Sequence, residues 1–232
     1  MNNIIEVKNL NMAYGRSKVI NNVSLNLSDK KVIGLCGPNG AGKTSLIKML
    51  VGLIMSYEGE ILIDGHKVSK VTKEIVSYQP DVINLDSSLT GHKAIKQYKA
   101  LYSNFEEARF LELFAKLKLP LDKPLGKMSK GMKEKFQLAL TLSRNAKVYI
   151  FDEPIAGVDP ASRDSILETI INNYTNDALL LISTHIISDI ESILDEVIFI
   201  NDGEIILHEN CDNLRDERNM SIDQIFREEF RW

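Results

Sequence analysis

Hydrophobic and polar residues alternate in two stretches near the start of the chain, IIEVKNLNMAY and VINNVSLNLSDKKVIGLCG. In the second stretch Val19, Val23, Leu25 and Leu27 alternate with polar neighbours before a continuous apolar run begins. A period of two predicts half-buried β-strands, and a continuous apolar run predicts a strand that is buried on both faces. The chain is therefore predicted to begin with β-structure.

Later apolar runs repeat this style in GEILIDG, AKVYIFDEP, ALLLIST and EVIFINDGEIIL. Segments with helical character, such as PASRDSILETIINNY, separate several of them. Strands that alternate with helices are typical of an α/β fold with a mostly parallel central sheet.

The middle of the chain has a different pattern. Residues 89–144 are rich in helix formers, and Phe110, Leu113, Phe114 and Leu117 recur at the spacing of one helical face. We therefore expect a helical subdomain inserted into the α/β core.

Length and composition fit a single domain. The chain has 232 residues, of which 44% are hydrophobic and 26% are charged, as in ordinary globular proteins. We expect one domain over 1–232, with its core in 1–81 and 145–232 and the helical subdomain in 82–144.

Net charge and hydropathy exclude several classes of function. The net charge of -4 argues against a nucleic-acid binder. No apolar run reaches the roughly eighteen residues of a membrane span, and the N-terminus lacks a signal sequence, so we expect a cytoplasmic protein. Cys36 and Cys211 form no pairing pattern and are expected to be reduced thiols.

A phosphate-binding loop is predicted in GLCGPNGAGKTSLIKML, which has the pattern GxxxxGK(S/T) between an apolar strand and a helix. Its backbone N–H groups would cradle phosphates, Lys43 would reach the β- and γ-phosphates, and the Thr44 hydroxyl would bind Mg²⁺. The predicted ATP contacts in this loop are Gly37, Pro38, Asn39, Gly40, Ala41, Gly42, Lys43, Thr44 and Ser45.

Four further residues have chemistry that fits this loop. Asp152, at the end of the strand in VYIFDEP, is predicted to hold Mg²⁺ through water, and Glu153 is predicted to act as the general base. His185 follows another buried strand and could bond the γ-phosphate or orient Glu153. Tyr14 precedes the loop and could stack on adenine.

Together these motifs resemble the nucleotide-binding domain of an ABC transporter over essentially the full chain. GPNGAGKTS resembles the Walker A motif, VYIFDEP the Walker B motif, GVDP with Asp159 the D-loop, and His185 the switch histidine. The resemblance implies a P-loop NTPase core, an N-terminal antiparallel β subdomain and a helical subdomain that carries a signature motif, usually LSGGQ.

The segment MSKGM occupies the place of that signature. Ser129 and Gly131 match the family pattern, whereas Lys130 replaces its first glycine and Met132 its glutamine. The resemblance implies that Ser129, Gly131 and Asp159 meet the ATP of a second domain across a head-to-tail dimer. Whether Lys130 contacts that nucleotide or points away is left open by the sequence.

The Q-loop has two candidates for a residue that serves Mg²⁺. Gln79 matches the family by residue type, whereas counting back from LTG places Asp81 at the family's position. We favour Asp81 and keep Gln79 as the alternative.

The resemblance implies an ATPase that uses ATP and Mg²⁺ to drive a separate transmembrane permease, to which the chain would bind on the inner face of the cell membrane. SKGM and DSSLTGHKAIKQYKALY resemble the branch that exports drugs, antibiotics and peptides, and phenol-soluble modulin peptides of staphylococci are one candidate cargo. The short tail after NDGEIILHEN predicts no appended regulatory domain.

The sequence leaves several alternatives open. The ATPase dimer could contain two identical or two paralogous chains. The chain could also be an importer ATPase, a nucleotide sensor, or an ABC ATPase that acts on DNA or the ribosome, although such ATPases usually carry a coiled coil or two ATPase domains.

Overall fold

A computed structural model describes residues 3–175 and 177–230, apart from the side chains of 160–162. The strands are β1 (Asn3–Tyr14), β2 (Ser17–Ser28), β3 (Val32–Cys36), β4 (Glu58–Ile63), β5 (His66–Lys67), β6 (Val76–Gln79), β7 (Val148–Asp152), β8 (Leu179–Thr184), β9 (Glu196–Asn201) and β10 (Glu204–Asn210). The helices are α1 (Lys43–Leu50), α2 (Lys70–Ile75), α3 (Gly91–Leu101), α4 (Glu107–Lys116), α5 (Lys130–Leu142), α6 (Pro160–Asn173), α7 (Cys211–Arg218) and α8 (Ile222–Glu229).

The larger sheet has the order β10-β9-β3-β8-β7-β6. All neighbours pair in parallel except β10, which forms an antiparallel hairpin with β9. The predicted α/β fold with a mostly parallel sheet is confirmed. Because β3, β7 and β8 are adjacent and parallel, their carboxyl ends meet at one edge, where the residues that follow them come together.

A second, antiparallel sheet has the order β2-β1-β4-β5. It contains the two N-terminal strands predicted from alternation, and their apolar side chains, including Val23, Leu25 and Leu27, are buried. This sheet packs on one face of the parallel sheet in a shared hydrophobic cluster that also contains α1.

The two faces of the parallel sheet are buried under different layers. Along β7, Tyr149 and Phe151 join the cluster that contains the helical segment, whereas Val148 and Ile150 join the cluster with the antiparallel sheet. This alternation explains why the strand is apolar at every position: both of its faces are covered.

Between β6 and β7 the described elements are helical, as predicted. α3 and α4 are separate helices, and Phe110, Leu113 and Phe114 of α4 are buried, while Leu117 lies just beyond its end and is half-buried. The rings of Phe110 and Phe114 pack on Phe136 of α5. The helices share one hydrophobic cluster with the sheet. The division of the chain at residues 82–144 stays a prediction.

Arg144 joins the helical segment to the rest of the fold. It follows α5 and is buried, and its guanidinium donates to the backbone oxygens of Val76 at 2.7 Å and Lys73 at 2.6 Å. It also donates to Asn104 Oδ1 at 3.0 Å and lies 3.8 Å from the ring centroid of Tyr102. One side chain thus ties α5 to the start of β6.

The carboxyl-terminal helix α8 packs against the parallel sheet at β9. Phe226 of α8 and Phe230 pack edge-on against Phe199 of β9. Cys36 and Cys211 are both buried free thiols, in agreement with the prediction. Within the part of the chain that the structure describes, we find no helix that combines the length and the hydropathy needed to cross a bilayer.

Candidate nucleotide site

The predicted phosphate loop lies between the end of β3 and the start of α1. No side chain caps α1, so its first backbone N–H groups are available at the helix N-terminus, where the helix dipole favours an anion. The loop requires glycine at Gly37, because a Cβ atom there would lie 2.3 Å from the backbone oxygen of Ile200. The backbone of the loop therefore packs directly against β9.

Lys43 is buried at the base of this loop. Its Nζ donates to the backbone oxygens of Gly37 at 2.7 Å and Pro38 at 3.2 Å, and lies 3.2 Å from Glu153 Oε1. The charge of the lysine is thus held inside the loop and faces the carboxylate after β7.

Asp152 ends β7 and is only 1% exposed. Its Oδ1 accepts from Thr44 Oγ1 at 3.2 Å and from Ser183 Oγ at 2.6 Å, while its buried Oδ2 has no partner. Burial raises the pKa of this carboxyl, the charges of Asp81 and Glu153 raise it further, and the two hydrogen bonds oppose the shift. An unpaired carboxylate oxygen beside a threonine hydroxyl fits Mg²⁺, a hard cation that takes oxygen ligands.

Glu153 has a left-handed backbone with φ of 51°. This region is rare for residues other than glycine, asparagine and aspartate, and such outliers concentrate at functional sites. The Glu153 N–H donates to Ser183, at 3.0 Å to Oγ and 3.2 Å to the backbone oxygen. The carboxylate lies between Lys43 and His185, whose Nδ1 is 2.9 Å from Glu153 Oε2. The predicted base and the predicted switch histidine are therefore in direct contact.

A cavity of about 490 Å³ brings together the predicted residues of the phosphate loop from Asn39 to Ser45, whereas Gly37 and Pro38 are not in its lining. It is lined by Val19, Asn39, Gly40, Ala41, Gly42, Lys43, Thr44, Ser45, Asp81, Glu153, Ala156 and His185. Of the two Q-loop candidates, Asp81 lines this cavity. Gln79 is buried in β6 and lines a smaller neighbouring cavity. Asp81 also lines that smaller cavity, and the choice of Asp81 over Gln79 stays a prediction.

The other predicted residues lie apart from this cavity. Tyr14 ends β1 with 58% of its surface exposed, so a ring face is open to solvent. Ser129, Gly131 and Asp159 line a second cavity of about 540 Å³, between the start of α5 and the loop after β7. Ser129 caps α5, since its Oγ accepts from the Met132 N–H at 3.3 Å.

Two residues that hold the site together escaped the sequence reasoning. Ser183 binds both Asp152 and the Glu153 N–H, and Arg163 donates to the backbone oxygen of Val158 at 3.0 Å. Ser183 lies near the end of β8, two residues before His185, and this position could have indicated that it contacts the site. Nothing in the sequence around Arg163 pointed to its contact.

Buried polar atoms without partners gather beside the site. Among the described residues they are Tyr78 Oη, Gln79 Oε1, Gln137 Oε1 and Asp152 Oδ2. Two of these residues face each other across α5 and β6: Gln79 of β6 and Gln137 of α5 line the same small cavity, and Gln137 donates to the backbone oxygen of Pro80 at 2.8 Å. We call this contact between α5 and β6, formed by Gln79, Pro80 and Gln137, the polar seam.

Comparison with known proteins identifies the family. The family described as "ABC transporter" matches residues 20–156, more than half of the chain. A lantibiotic transport ATP-binding protein, SrtF of Streptococcus pyogenes, is 31% identical over 230 residues, which cover 98% of this chain and 100% of SrtF. The linearmycin resistance ATP-binding protein LnrL of Bacillus subtilis is 29% identical over 212 residues, or 88% of this chain and 68% of LnrL.

Comparison with solved structures gives the same family. A solved structure described as the ATP binding subunit of an ABC transporter superposes with a TM-score of 0.88 at 27% identity, covering 97% of this chain and 98% of that one. The match to the family, the similarity along the full length of SrtF and the geometry of the phosphate cavity agree. The chain belongs to the ABC transporter family, as one of its ATP-binding, ATP-hydrolysing domains.

Proposed function

We propose that this chain is the ATP-binding subunit of an exporter for antibiotics or amphipathic peptides. The observation that carries the proposal is the Glu153 carboxylate, held between Lys43 and His185 at the edge of the phosphate cavity. The names of SrtF and LnrL, which refer to lantibiotic transport and linearmycin resistance, support the cargo class. Phenol-soluble modulins stay one candidate within that class.

Mg²⁺ would be held by Thr44 Oγ1 and Asp152, with Asp81 on the open side of the cavity. The bound ion would neutralise charge on the β- and γ-phosphates. Asp152 is suited to this role because its unpaired, buried Oδ2 gains a partner when a cation is present. Ser183 fixes the other oxygen and so determines which way the carboxylate faces.

Glu153 would act as the general base toward the attacking water. Its contact with His185 limits the rotation of the carboxylate, so one oxygen can face the cavity while the other is held. Lys43 lies against the same carboxylate, and in our proposal it turns to the phosphates when ATP enters the cavity. ATP binding would then release one oxygen of the base.

Two chains would form the complete ATPase. Lys43 and Ser129 line different cavities in the chain, and in our proposal the nucleotide held by Lys43 is met by Ser129 of a second chain. A head-to-tail dimer would bring Ser129, Gly131 and Asp159 of one domain to the ATP of the other. The second domain could be an identical or a paralogous chain.

A transmembrane permease would dock at the groove between the core and the helical segment. This groove, of about 180 Å³, is lined by Leu53, Tyr78, Tyr98, Tyr102 and other residues. Leu53 in the groove and Leu101, the sequence neighbour of the groove residue Tyr102, are 62% and 61% exposed. Exposed apolar groups beside an aromatic groove are typical of a surface that a partner covers. Through this partner the chain would lie on the inner face of the cell membrane.

The catalytic assignment is tested with Glu153→Gln, which removes the base and keeps the shape of the side chain. We expect an unchanged Kd for ATP, an ATP-dependent dimer that persists in size-exclusion chromatography, and a loss of hydrolysis of about a hundredfold or more. Glu228→Gln on the surface of α8 is the matched control and should hydrolyse ATP normally. Near-normal hydrolysis by Glu153→Gln would refute the role of Glu153.

The dimer is tested with Ser129→Phe, which places a bulky ring in the second cavity. The variant should bind ATP as a monomer with normal affinity, because the phosphate loop is untouched, yet fail to dimerise and to hydrolyse ATP. Ser188→Phe, at an exposed position outside the second cavity, controls for the added bulk. Normal ATP-dependent dimerisation of Ser129→Phe would show that the signature segment is not at the dimer interface.

A further inference from the structure

Lys130, which stands where the family pattern has glycine, turns toward its own chain. It is the first residue of α5, its side chain is 71% exposed, and its Nζ donates to the backbone oxygen of Gly157 at 3.3 Å. The same Nζ lies 3.8 Å from Glu134 Oε1, one helical turn further along α5. The lysine therefore bridges the start of α5 and the loop that follows β7.

The loop that receives this contact is shaped for it. Gly157 has a left-handed φ of 70°, and a Cβ atom at this position would lie 2.8 Å from Lys130 Nζ. A side chain at this position would crowd the ammonium group and strain the backbone. Glycine at 157 thus suits both the left-handed backbone and the close approach of the ammonium group.

A second cation holds the other side of the same loop. Arg163 of α6 donates through Nε to the backbone oxygen of Val158 at 3.0 Å and through Nη1 to Asp189 Oδ2 at 2.8 Å. Asp189 ends the short 3₁₀ turn Ile187–Asp189, which begins two residues after His185. The backbone oxygens of the consecutive residues 157 and 158 thus accept hydrogen bonds from Lys130 of α5 and Arg163 of α6. Both hydrogen bonds hold the loop that begins at Glu153.

The charges around Lys130 favour this position of the ammonium group. The carboxylate of Glu134 lies 3.8 Å from the ammonium group; burial raises the pKa of Glu134, the charge of Lys130 opposes this shift and the charge of Asp159 increases it. All three residues line the second cavity, and the positive charge of Lys130 there offsets the repulsion between the two carboxylates. A glycine at 130 would leave that repulsion in place.

We infer that Lys130 is a positioning residue that binds the start of α5 to the loop 153–159 of the same chain, and that it does not bind the partner's nucleotide. Ser129 then moves together with Glu153 and Asp159. In the dimer proposed above, on which this consequence rests, Ser129 faces one ATP while Glu153 faces the other. Lys130 would thereby couple the two ATP sites mechanically.

The experiment uses the full chain with Lys130→Met, which keeps the length of the side chain and removes its donor. Lys130→Arg retains a donor, and Lys133→Met on the same helix is the matched control. Hydrogen–deuterium exchange of residues 153–159 is measured first, in the nucleotide-free monomer, followed by kcat and KM for ATP.

We expect faster exchange of the loop in Lys130→Met alone, by about three- to tenfold, the range that corresponds to the loss of one exposed hydrogen bond. The kcat should fall by a similar factor at unchanged KM, and Lys130→Arg should restore both quantities. Unchanged exchange in Lys130→Met, or a raised KM with normal exchange, would overturn the inference in favour of nucleotide contact or no role. Because hydrogen exchange is measured without ATP, its result tests the role of Lys130 even if the proposed ATPase mechanism is wrong.

Discussion

Replacement of Arg144 by methionine should destabilise the protein by about 3 to 4 kcal/mol. The guanidinium makes hydrogen bonds of 2.6, 2.7 and 3.0 Å and a cation–π contact at 3.8 Å, all on partly or fully buried partners. Hydrogen bonds of charged groups contribute roughly 1.5–3 kcal/mol each but are not additive when they share one side chain. Burial lowers the pKa of Arg144 because the charged guanidinium has lost its hydration. This loss of hydration offsets part of the free energy that the hydrogen bonds contribute to stability.

Differential scanning calorimetry measures this loss. At about 2–4 °C per kcal/mol for a chain of this size, Arg144→Met should lower the Tm by roughly 6–16 °C. Arg144→Lys should recover only part of it, because an ammonium group cannot reach the separated carbonyls in the way a planar guanidinium does. Arg218→Met removes an exposed ion pair to Glu229 and should shift the Tm by less than about 2 °C. A Tm for Arg144→Met within 2 °C of wild type would refute the reasoning.

Three further predictions concern the phosphate site. Asp152→Asn should abolish hydrolysis yet raise the Tm of the nucleotide-free protein at pH 7, because the raised pKa of Asp152 means that its ionisation disfavours the fold. The difference in Tm between variant and wild type should disappear as the pH falls toward about 4, where the carboxyl is protonated in the folded and the unfolded state. A lower Tm of the variant at pH 7 would contradict this prediction. Ser183→Ala should reduce kcat by about ten- to a hundredfold with little change in KM, because it frees the Asp152 carboxylate; an unchanged kcat would exclude this positioning role. Gly37→Ala should prevent ATP binding in calorimetric titration, since its Cβ would collide with the Ile200 oxygen; normal affinity would show that the loop adjusts.

Much of the fold follows from local patterns in the sequence. The alternation around Leu25 and the continuous apolar run of β7 predicted half-buried and fully buried strands, and the structure contains both. The phosphate loop was also predictable, because its glycines and Lys43 act within one continuous segment. Local patterns carry this information because burial and backbone geometry are set within a few residues.

Contacts between distant segments could not be predicted in the same way. Arg144 reaches backbone carbonyls about seventy residues away, and a carbonyl has no residue type that marks it as a partner. Ser183 and Arg163 likewise act on backbone groups. The positions of Asp81 and Gln79 depend on the path of the chain after β6, which brings Asp81 to the phosphate cavity and leaves Gln79 within the strand.

The polar seam has a consequence for the way the molecule opens. Gln79 Oε1 and Gln137 Oε1 are buried there without a hydrogen-bond partner, and each raises the free energy of the closed packing by about 1–3 kcal/mol. Water that enters the seam would remove this penalty by donating hydrogen bonds to the two oxygens. Separation of α5 from β6 therefore requires less free energy than the apolar area between them suggests. Amide hydrogens along the polar seam should therefore exchange faster than those in the apolar packing around Phe136, which holds the helical segment on the sheet.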